Sequence, residues 1–186
     1  MKIAFFFLLT MIFGASLAGD VFNKKTTALI AKNQSTYKSN NDARIDFILG
    51  NWKGTGYVTD ANGLEQYIEI VETNSRLSDG QYKTVGIGKN PGNDFVYTYE
   101  KSLFFNNALN NWYTKGNIYN TILPDSRTDL GENNTFSYAY YDSNAVLVRH
   151  TTSRDSEDCF REIQEKWGHN GWDRTASFRM TRMLNN

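Results

Sequence analysis

The sequence predicts an all-β protein: a closed up-and-down antiparallel β-barrel of about eight to ten strands, preceded by a short helix. Aromatic residues make up 15% of the 186 residues, and 14 glycines stand beside only 2 prolines, a composition typical of strands joined by tight turns. Runs of about seven to twelve residues alternate apolar and polar side chains and are separated by Asp, Asn and Gly. A meander of such strands removes its unpaired edges most simply by closing on itself.

The first 18 residues have the three parts of a secretory signal peptide. The basic Lys2 precedes an apolar run over residues 3–13, and Ser16 and Ala18 supply small side chains for cleavage before Gly19. The apolar run is too short to span a bilayer, and no stop-transfer pattern follows it, which argues against the alternative of a membrane anchor. We therefore expect a secreted or periplasmic protein.

Two segments connect the signal peptide to the strands. Residues 19–41 are polar and nearly aperiodic, and we interpret them as a partly ordered N-terminal arm. Residues 42–49 follow the helical period and place Ile45 and Ile48 on one face, so we predict a short helix there. The barrel domain is accordingly predicted over residues 42–186.

About nine strands are predicted from Trp52 onward, each bounded by turn residues. Residues 106–111 and 168–171 are rich in Asn and Gly, which indicates tight turns. Residues 123–133 contain Pro124 and lack a clear period, so we predict a surface loop over one end of the barrel. The predicted strands cover residues 52–58, 64–73, 81–88, 95–105, 112–122, 135–141, 146–153, 159–167 and 172–183.

Charge balance and cysteine content narrow the functional classes. Loss of Lys2 with the signal peptide leaves 19 basic and 20 acidic residues, a balance that does not indicate a nucleic-acid-binding surface. Cys159 is the only cysteine, so an intrachain disulfide is excluded and hydrophobic burial must stabilise the domain. We interpret Cys159 as a small buried side chain, with intermolecular pairing or a reactive thiol as alternatives.

The segment Gly50-Asn51-Trp52 resembles the opening of lipocalin-like calycin barrels, and it is most similar to the small bacterial lipocalin-like group that includes the nitrobindin-type haem barrels. The resemblance covers residues 45–183. It implies that the Trp52 indole packs at the floor of the barrel beneath an Arg of the final strand. Arg182 fits this structural role, because alternation places it on the apolar face of the last predicted strand, within reach of a cation–π contact.

Inward-facing side chains of such a barrel would hold a small hydrophobic or aromatic ligand. If each strand turns its more apolar face inward, aromatic walls result. The same side chains could instead fill the core of a narrow barrel, and both interpretations stay open. The candidate lining residues are Tyr97, Tyr99, Phe136, Tyr138, Trp167 and Phe178.

Polar residues on the predicted inward face are further candidates. Arg161, Glu165 and Arg174 could meet near the last hairpin, where they would bind a ligand carboxylate or, as we favour, form an ion-pair network. His150 is in register for an inward ring. The nitrobindin-type resemblance implies a proximal His for haem, but neither His150 nor His169 aligns with that position. We therefore predict no cofactor and keep haem as an alternative.

The leading hypothesis is a secreted or periplasmic binding protein that holds a small hydrophobic or aromatic molecule, with Trp52 and Arg182 at the floor. One alternative is an enzyme acting on a small hydrophobic substrate in the same cavity. Another is a filled barrel whose outer aromatic residues contact a partner protein. The sequence contains no zinc-type cluster, phosphate-binding loop or nucleophile elbow, and no catalytic or metal-binding residues are predicted.

Overall fold

Alternating side chains along consecutive strands build a closed antiparallel barrel. The computed structural model describes residues 42–60, 62–92, 96–118 and 121–184. These residues form ten strands, each hydrogen-bonded to the next along the chain, and the last strand pairs with the first. The predicted all-β barrel is confirmed. The predicted signal peptide (1–18) and N-terminal arm (19–41) lie outside the described residues.

The strands run up and down in chain order and are joined by short turns. Asp60 and Asp142 each accept hydrogen bonds from backbone N–H groups of their own turn, which is the local reason that acidic residues stand there. The strands are β1 (Gly50–Thr59), β2 (Glu65–Arg76), β3 (Tyr82–Lys89), β4 (Val96–Asn106), β5 (Asn111–Ile118), β6 (Thr121–Gly131), β7 (Thr135–Tyr141), β8 (Leu147–Ser156), β9 (Cys159–Gly168) and β10 (Gly171–Arg182).

The segment before β1 closes one end of the barrel. The predicted helix is shorter in the structure: a 3₁₀ helix spans Asp46–Ile48 and has no side-chain cap at its start, which fits its short length. Ile45 is fully buried, and the Phe47 ring packs against Phe136 and Phe160 at centroid distances of 6.1 Å. This apolar packing makes the closed end. Among the described residues, no helix has the length and apolar character needed to cross a bilayer.

One predicted loop is a strand, so the prediction of a loop over residues 123–133 is wrong. Strand β6 covers Thr121–Gly131. Lys115 of β5 faces two residues, Pro124 and Asp125, because the β5–β6 register shifts at this point. Such a bulge tolerates proline, since no ladder N–H is needed there. The extra residue also shifts by one position which side chains of β6 point inward. The alternation of inward and outward residues is therefore interrupted within the strand, and the sequence does not show a clear period of two.

The predicted contact between Trp52 and Arg182 forms the floor of the barrel. The two residues pair across the seam between β1 and β10, and the guanidinium carbon of Arg182 lies 4.3 Å from the indole centroid. The guanidinium donates a hydrogen bond to the carbonyl of Leu49 at 2.8 Å, and the Trp52 indole N–H donates to the carbonyl of Ile48 at 2.6 Å. The contact is confirmed, and it joins the last strand, the first strand and the 3₁₀ helix.

Replacing Arg182 with Met should destabilise the protein by about 2 kcal/mol. The change removes a partly buried cation–π contact and leaves the Leu49 carbonyl without its donor. Urea unfolding of the purified protein measures the loss. Arg174→Met on the same strand is the control, because Arg174 is exposed and its replacement should change stability by less than about 0.5 kcal/mol. Equal stability of the two variants would contradict the role given to the floor contact.

Candidate ligand-binding site

A cavity of about 210 Å³ opens at the end of the barrel opposite the floor. Its walls are mostly apolar and aromatic, and its base carries charged side chains. The interior is therefore not filled at this end. The lining residues are Val58, Ile70, Tyr97, Tyr99, Lys101, Ile118, His150, Glu162, Ile163, Gln164, Ala176 and Phe178.

Two glycines of β3 explain why large tyrosines do not fill the cavity. Tyr97 and Tyr99 of β4 pair with Gly88 and Gly86 across the sheet. A Cβ atom at either glycine would lie 2.2 Å from the facing tyrosine ring, so each ring lies against bare backbone. The two rings also stack on each other with centroids 5.9 Å apart. A larger residue at either glycine would push these rings into the lumen.

The base of the cavity is a buried ion pair with a hydrogen-bonded carboxyl group beside it. The Nζ atom of Lys101 lies 2.9 Å from the Glu162 carboxylate, and both side chains are less than one fifth exposed. The Tyr99 hydroxyl donates to Glu72 at 2.6 Å, and the Asn74 amide donates to the other carboxylate oxygen of Glu72. These contacts give each of these buried polar groups at least one hydrogen-bond partner.

Burial and neighbouring charges shift the pKa values of three side chains of the site. Burial raises the pKa of Glu72 to about 7, and the negative charge of Glu162 adds to this shift. Burial opposes the charge on Lys101, but the Glu162 carboxylate outweighs that effect and raises the pKa of Lys101 above its usual range. Burial, with Lys101 nearby, lowers the pKa of His150, so its imidazole is neutral at pH 7. Glu72 is thus a group whose charge changes near neutral pH.

A smaller void of about 20 Å³ adjoins the ion pair on the side of the floor. It shares Lys101 and Glu162 with the larger cavity, and Phe136 and Tyr138 form part of its wall. The Tyr138 hydroxyl is buried and, within the described part of the chain, has no hydrogen-bond partner. A void of this size admits one water-sized polar group.

His150 lines the larger cavity but is held by two tyrosines. Its ring stacks on Tyr138 at a centroid distance of 5.0 Å and on Tyr140 at 5.8 Å, and its Nε2 atom lies 3.4 Å from the Tyr140 hydroxyl. A haem-ligating imidazole needs a nitrogen that faces the iron, and even drug-sized ligands occupy about 300–1,000 Å³. The arrangement around His150 therefore does not fit haem. The described residues also contain no cluster of three His, Cys, Asp or Glu side chains suited to a metal ion.

A wider groove of about 630 Å³ runs along the closed end beside Asp42 and Arg44. Arg44 is already engaged by Asp42 at 2.6 Å. An open groove with polar walls holds a small apolar ligand poorly, because little of the ligand leaves water. The more enclosed cavity at the open end is therefore the candidate site.

Comparison with known proteins supports the fold. No family model and no curated protein matches the chain. Solved structures do match, among them an S-type phycobiliprotein lyase, CPES, from Guillardia theta, with a TM-score of 0.59 and 8% sequence identity over 80% of this chain and 96% of that chain. The barrel is of the lipocalin-like calycin kind. At this identity the likeness shows the fold alone, and it does not single out the nitrobindin-type group.

The structure brings most of the sequence-predicted site residues into the barrel. Tyr97, Tyr99, His150 and Phe178 line the larger cavity. Phe136 and Tyr138 lie deeper and line the small void.

Arg161, Trp167 and Arg174 lie on the outer surface, so their predicted inward position is wrong. On β9 the inward face carries Glu162, one residue out of phase with the predicted face. Alternation favoured the apolar Trp167 as inward, but its side chain is 54% exposed and packs on Trp172. On β10 the register shifts between Arg174 and Ala176. Side chains before this bulge therefore point to the face opposite to the one that simple alternation predicts.

The predicted meeting of Arg161, Glu165 and Arg174 is also replaced by other pairs. Glu165 accepts hydrogen bonds from Arg149, at 2.7 Å for the shorter one, and the Arg149 guanidinium stacks over Trp172 at 4.1 Å. Arg161 pairs with Asp155 at 3.1 Å. These ion pairs belong to the outer surface of the barrel.

Three charged residues of the site were missed by sequence reasoning: Glu72, Lys101 and Glu162. A signal for two of them exists. Lys101 has the same alternation phase as Tyr97 and Tyr99, and Glu72 continues the inward phase of Ile70. The predicted lining omits both residues, because charged side chains usually prefer water even where alternation would turn them inward.

Glu72→Gln should change the pH dependence of stability. Between the ordinary pKa of 4.5 and the folded value of about 7, the folded protein holds a proton on Glu72 that the unfolded chain has released. The free energy of unfolding therefore falls as pH rises through this window, by up to about 1.4 kcal/mol per pH unit. The Gln variant lacks this loss, so its stability relative to the unmodified protein should rise from pH 4.5 to 7.

Denaturant unfolding at several pH values measures this difference. His150 contributes a slope of the opposite sign, since its lowered pKa makes folding release a proton below its ordinary pKa of 6.5. That slope is common to both proteins and cancels in the comparison. Parallel stability profiles for the two proteins would show that Glu72 is not held protonated by the fold.

Proposed function

We propose that the chain is an exported protein that binds a small, largely apolar aromatic molecule in the open end of its barrel. The observation that carries the proposal is the cavity of about 210 Å³, whose aromatic walls end in a polar base. Apolar walls with a few placed polar groups are typical of small-molecule sites. Tyr97, Tyr99 and Phe178 offer flat surfaces against which a ring can pack.

The cavity volume limits the size of the ligand. A dry apolar cavity of about 150 Å³ accepts benzene, whereas drug-sized ligands occupy about 300–1,000 Å³. A volume near 210 Å³ therefore suits one aromatic ring with a short chain, or a compact molecule of two rings.

Binding is better supported than catalysis in the same cavity. A general acid or base works best with a pKa near the working pH and within hydrogen-bond reach of the substrate. His150 reaches the cavity, but its lowered pKa makes it a weak base. Glu72 has a suitable pKa, but it lines the small void and not the larger cavity in which a substrate ring would lie.

Filling the cavity should weaken the binding of a small aromatic probe. We expect 2-phenylethanol to bind the unmodified protein with one-to-one stoichiometry in an NMR titration. Ala176 is buried and lines the cavity, so Ala176→Phe places a ring where the probe would lie. We expect this variant to weaken binding at least about tenfold.

Ala139→Phe is the matched control, because Ala139 is exposed on the outer face of β7. It makes the same chemical change outside the barrel and should leave the affinity for the probe unchanged. Thermal unfolding checks that both variants fold. The same probe affinity in both variants would contradict the proposed site.

Export is the second part of the proposal and is supported by the signal-peptide pattern of the first 18 residues. When the full chain is expressed in a secreting host, intact-mass analysis of the exported protein should give a chain that begins at Gly19. Recovery of uncleaved protein inside the cell alone would contradict export.

A further inference from the structure

The polar base of the cavity carries one more acidic than basic side chain. Lys101 and Glu162 form a close pair and balance each other. Glu72 is a second carboxyl group of the same network and is only 2% exposed. Among the described residues that line the cavity and the void, Lys101 is the only lysine or arginine. The base is therefore negatively charged when Glu72 is ionised, and such a base attracts a cation.

The cavity also offers an acceptor at its base. The hydroxyl hydrogen of Tyr99 is used in its bond to Glu72, so the Tyr99 oxygen retains a lone pair for a donor on a ligand. The carboxylate of Glu162 faces the same cavity, and a carboxylate can accept more than one hydrogen bond. A ligand group that donates hydrogen bonds is therefore better matched than one that accepts them.

A buried hydroxyl group without a hydrogen-bond partner among the described residues is a second observation, independent of the charges at the base. Tyr138 lines the small void, and its hydroxyl is buried without a hydrogen-bond partner within the described part of the chain, an arrangement that costs free energy. Lys101 and Glu162 lie in the walls of both the void and the cavity. An ammonium group is close to a water molecule in size and carries three donors, so it fits a void of about 20 Å³.

We propose that the ligand is a primary amine with an aromatic ring. The ring lies in the cavity, and the ammonium group reaches the base among Glu72, Glu162 and Tyr138. This inference rests on the proposed binding function and names its ligand class. A carboxylate ligand is disfavoured, because Lys101 is already engaged by Glu162 and an ionised Glu72 repels an anion.

Three probes of similar size separate the ligand classes. 2-Phenylethylamine, 2-phenylethanol and phenylacetate each carry one ring and a short chain, but differ in the charge of the polar end. At pH 8 we expect calorimetry to show the amine binding at least about tenfold more tightly than the alcohol, because its hydrogen bonds are charge-assisted, and the acid binding most weakly.

The outcomes separate this inference from the proposed function. An alcohol that binds as tightly as the amine, or an acid that binds most tightly, would overturn the amine proposal and leave the binding function standing. Failure of all three probes to bind would overturn both.

Glu72→Gln tests the group that makes the base acidic. We expect it to weaken amine binding about tenfold and to leave alcohol binding unchanged. Glu69→Gln is the matched control, because Glu69 is exposed on the outer face of the same strand. Tyr138→Phe is a second variant that should fold normally, since the hydroxyl it removes has no partner, and it should weaken amine binding severalfold. Full retention of the amine preference in both site variants would overturn the inference.

The unmodified protein offers a test that does not depend on any variant. An ammonium group beside Glu72 favours its ionised form, so amine binding near pH 7 should release a fraction of a proton. Calorimetry in buffers of different ionisation enthalpy measures this release, and alcohol binding should show none. Amine binding without proton release would contradict the proposal. The side chains that interact with Glu72, by hydrogen bonds or by charge, are Asn74 of β2, Tyr97, Tyr99 and Lys101 of β4, Tyr138 of β7 and Glu162 of β9.

Discussion

The buried ion pair between Lys101 and Glu162 determines how the interior of the barrel is arranged. Removing two charges from water costs several kcal/mol for each ion, so the pair persists only with close geometry and additional polar contacts. Lys101 meets this requirement with a separation of 2.9 Å from Glu162 and with the face of Tyr99 at 5.3 Å. Polar side chains therefore gather in the middle of the barrel, and the apolar residues divide into two groups on either side of it.

The two apolar groups have different physical roles. On the closed side, Trp52 packs edge-on against Phe160 with ring centroids 4.6 Å apart, and Arg182 covers the indole. This packing is dense and supplies stability. On the open side, the rings of Tyr97 and Tyr99 lie against glycines instead of crossing the lumen. The same fold thus has a filled half that holds the strands together and a hollow half that can accept a ligand.

Alternation along strands predicts the barrel and places Arg182 on the inward face of the last strand, and the lipocalin-like resemblance implies its contact with Trp52. Alternation fails at bulges such as the one beside Pro124, where one extra residue reverses the face and the sequence does not mark the position. It also fails at Lys101 and Glu162, since each charge alone favours water. Their pairing joins β4 to β9 across the lumen, over 61 positions of sequence, and only the closed barrel brings them together.

The stability of the fold does not by itself account for the polar middle of the barrel, which is consistent with the proposed binding role. Buried ion pairs can often be replaced by apolar side chains without loss of stability, so stability alone does not require Lys101 and Glu162. The same region holds Glu72, and burial disfavours the charged form of its carboxyl group. It also holds Tyr138, whose buried hydroxyl has no hydrogen-bond partner among the described residues. Each of these features costs free energy, and all of them lie in the walls of the cavity or of the small void beside it. A ligand that donates hydrogen bonds and brings positive charge would offset these costs together, which is the physical basis of the proposed preference for an amine.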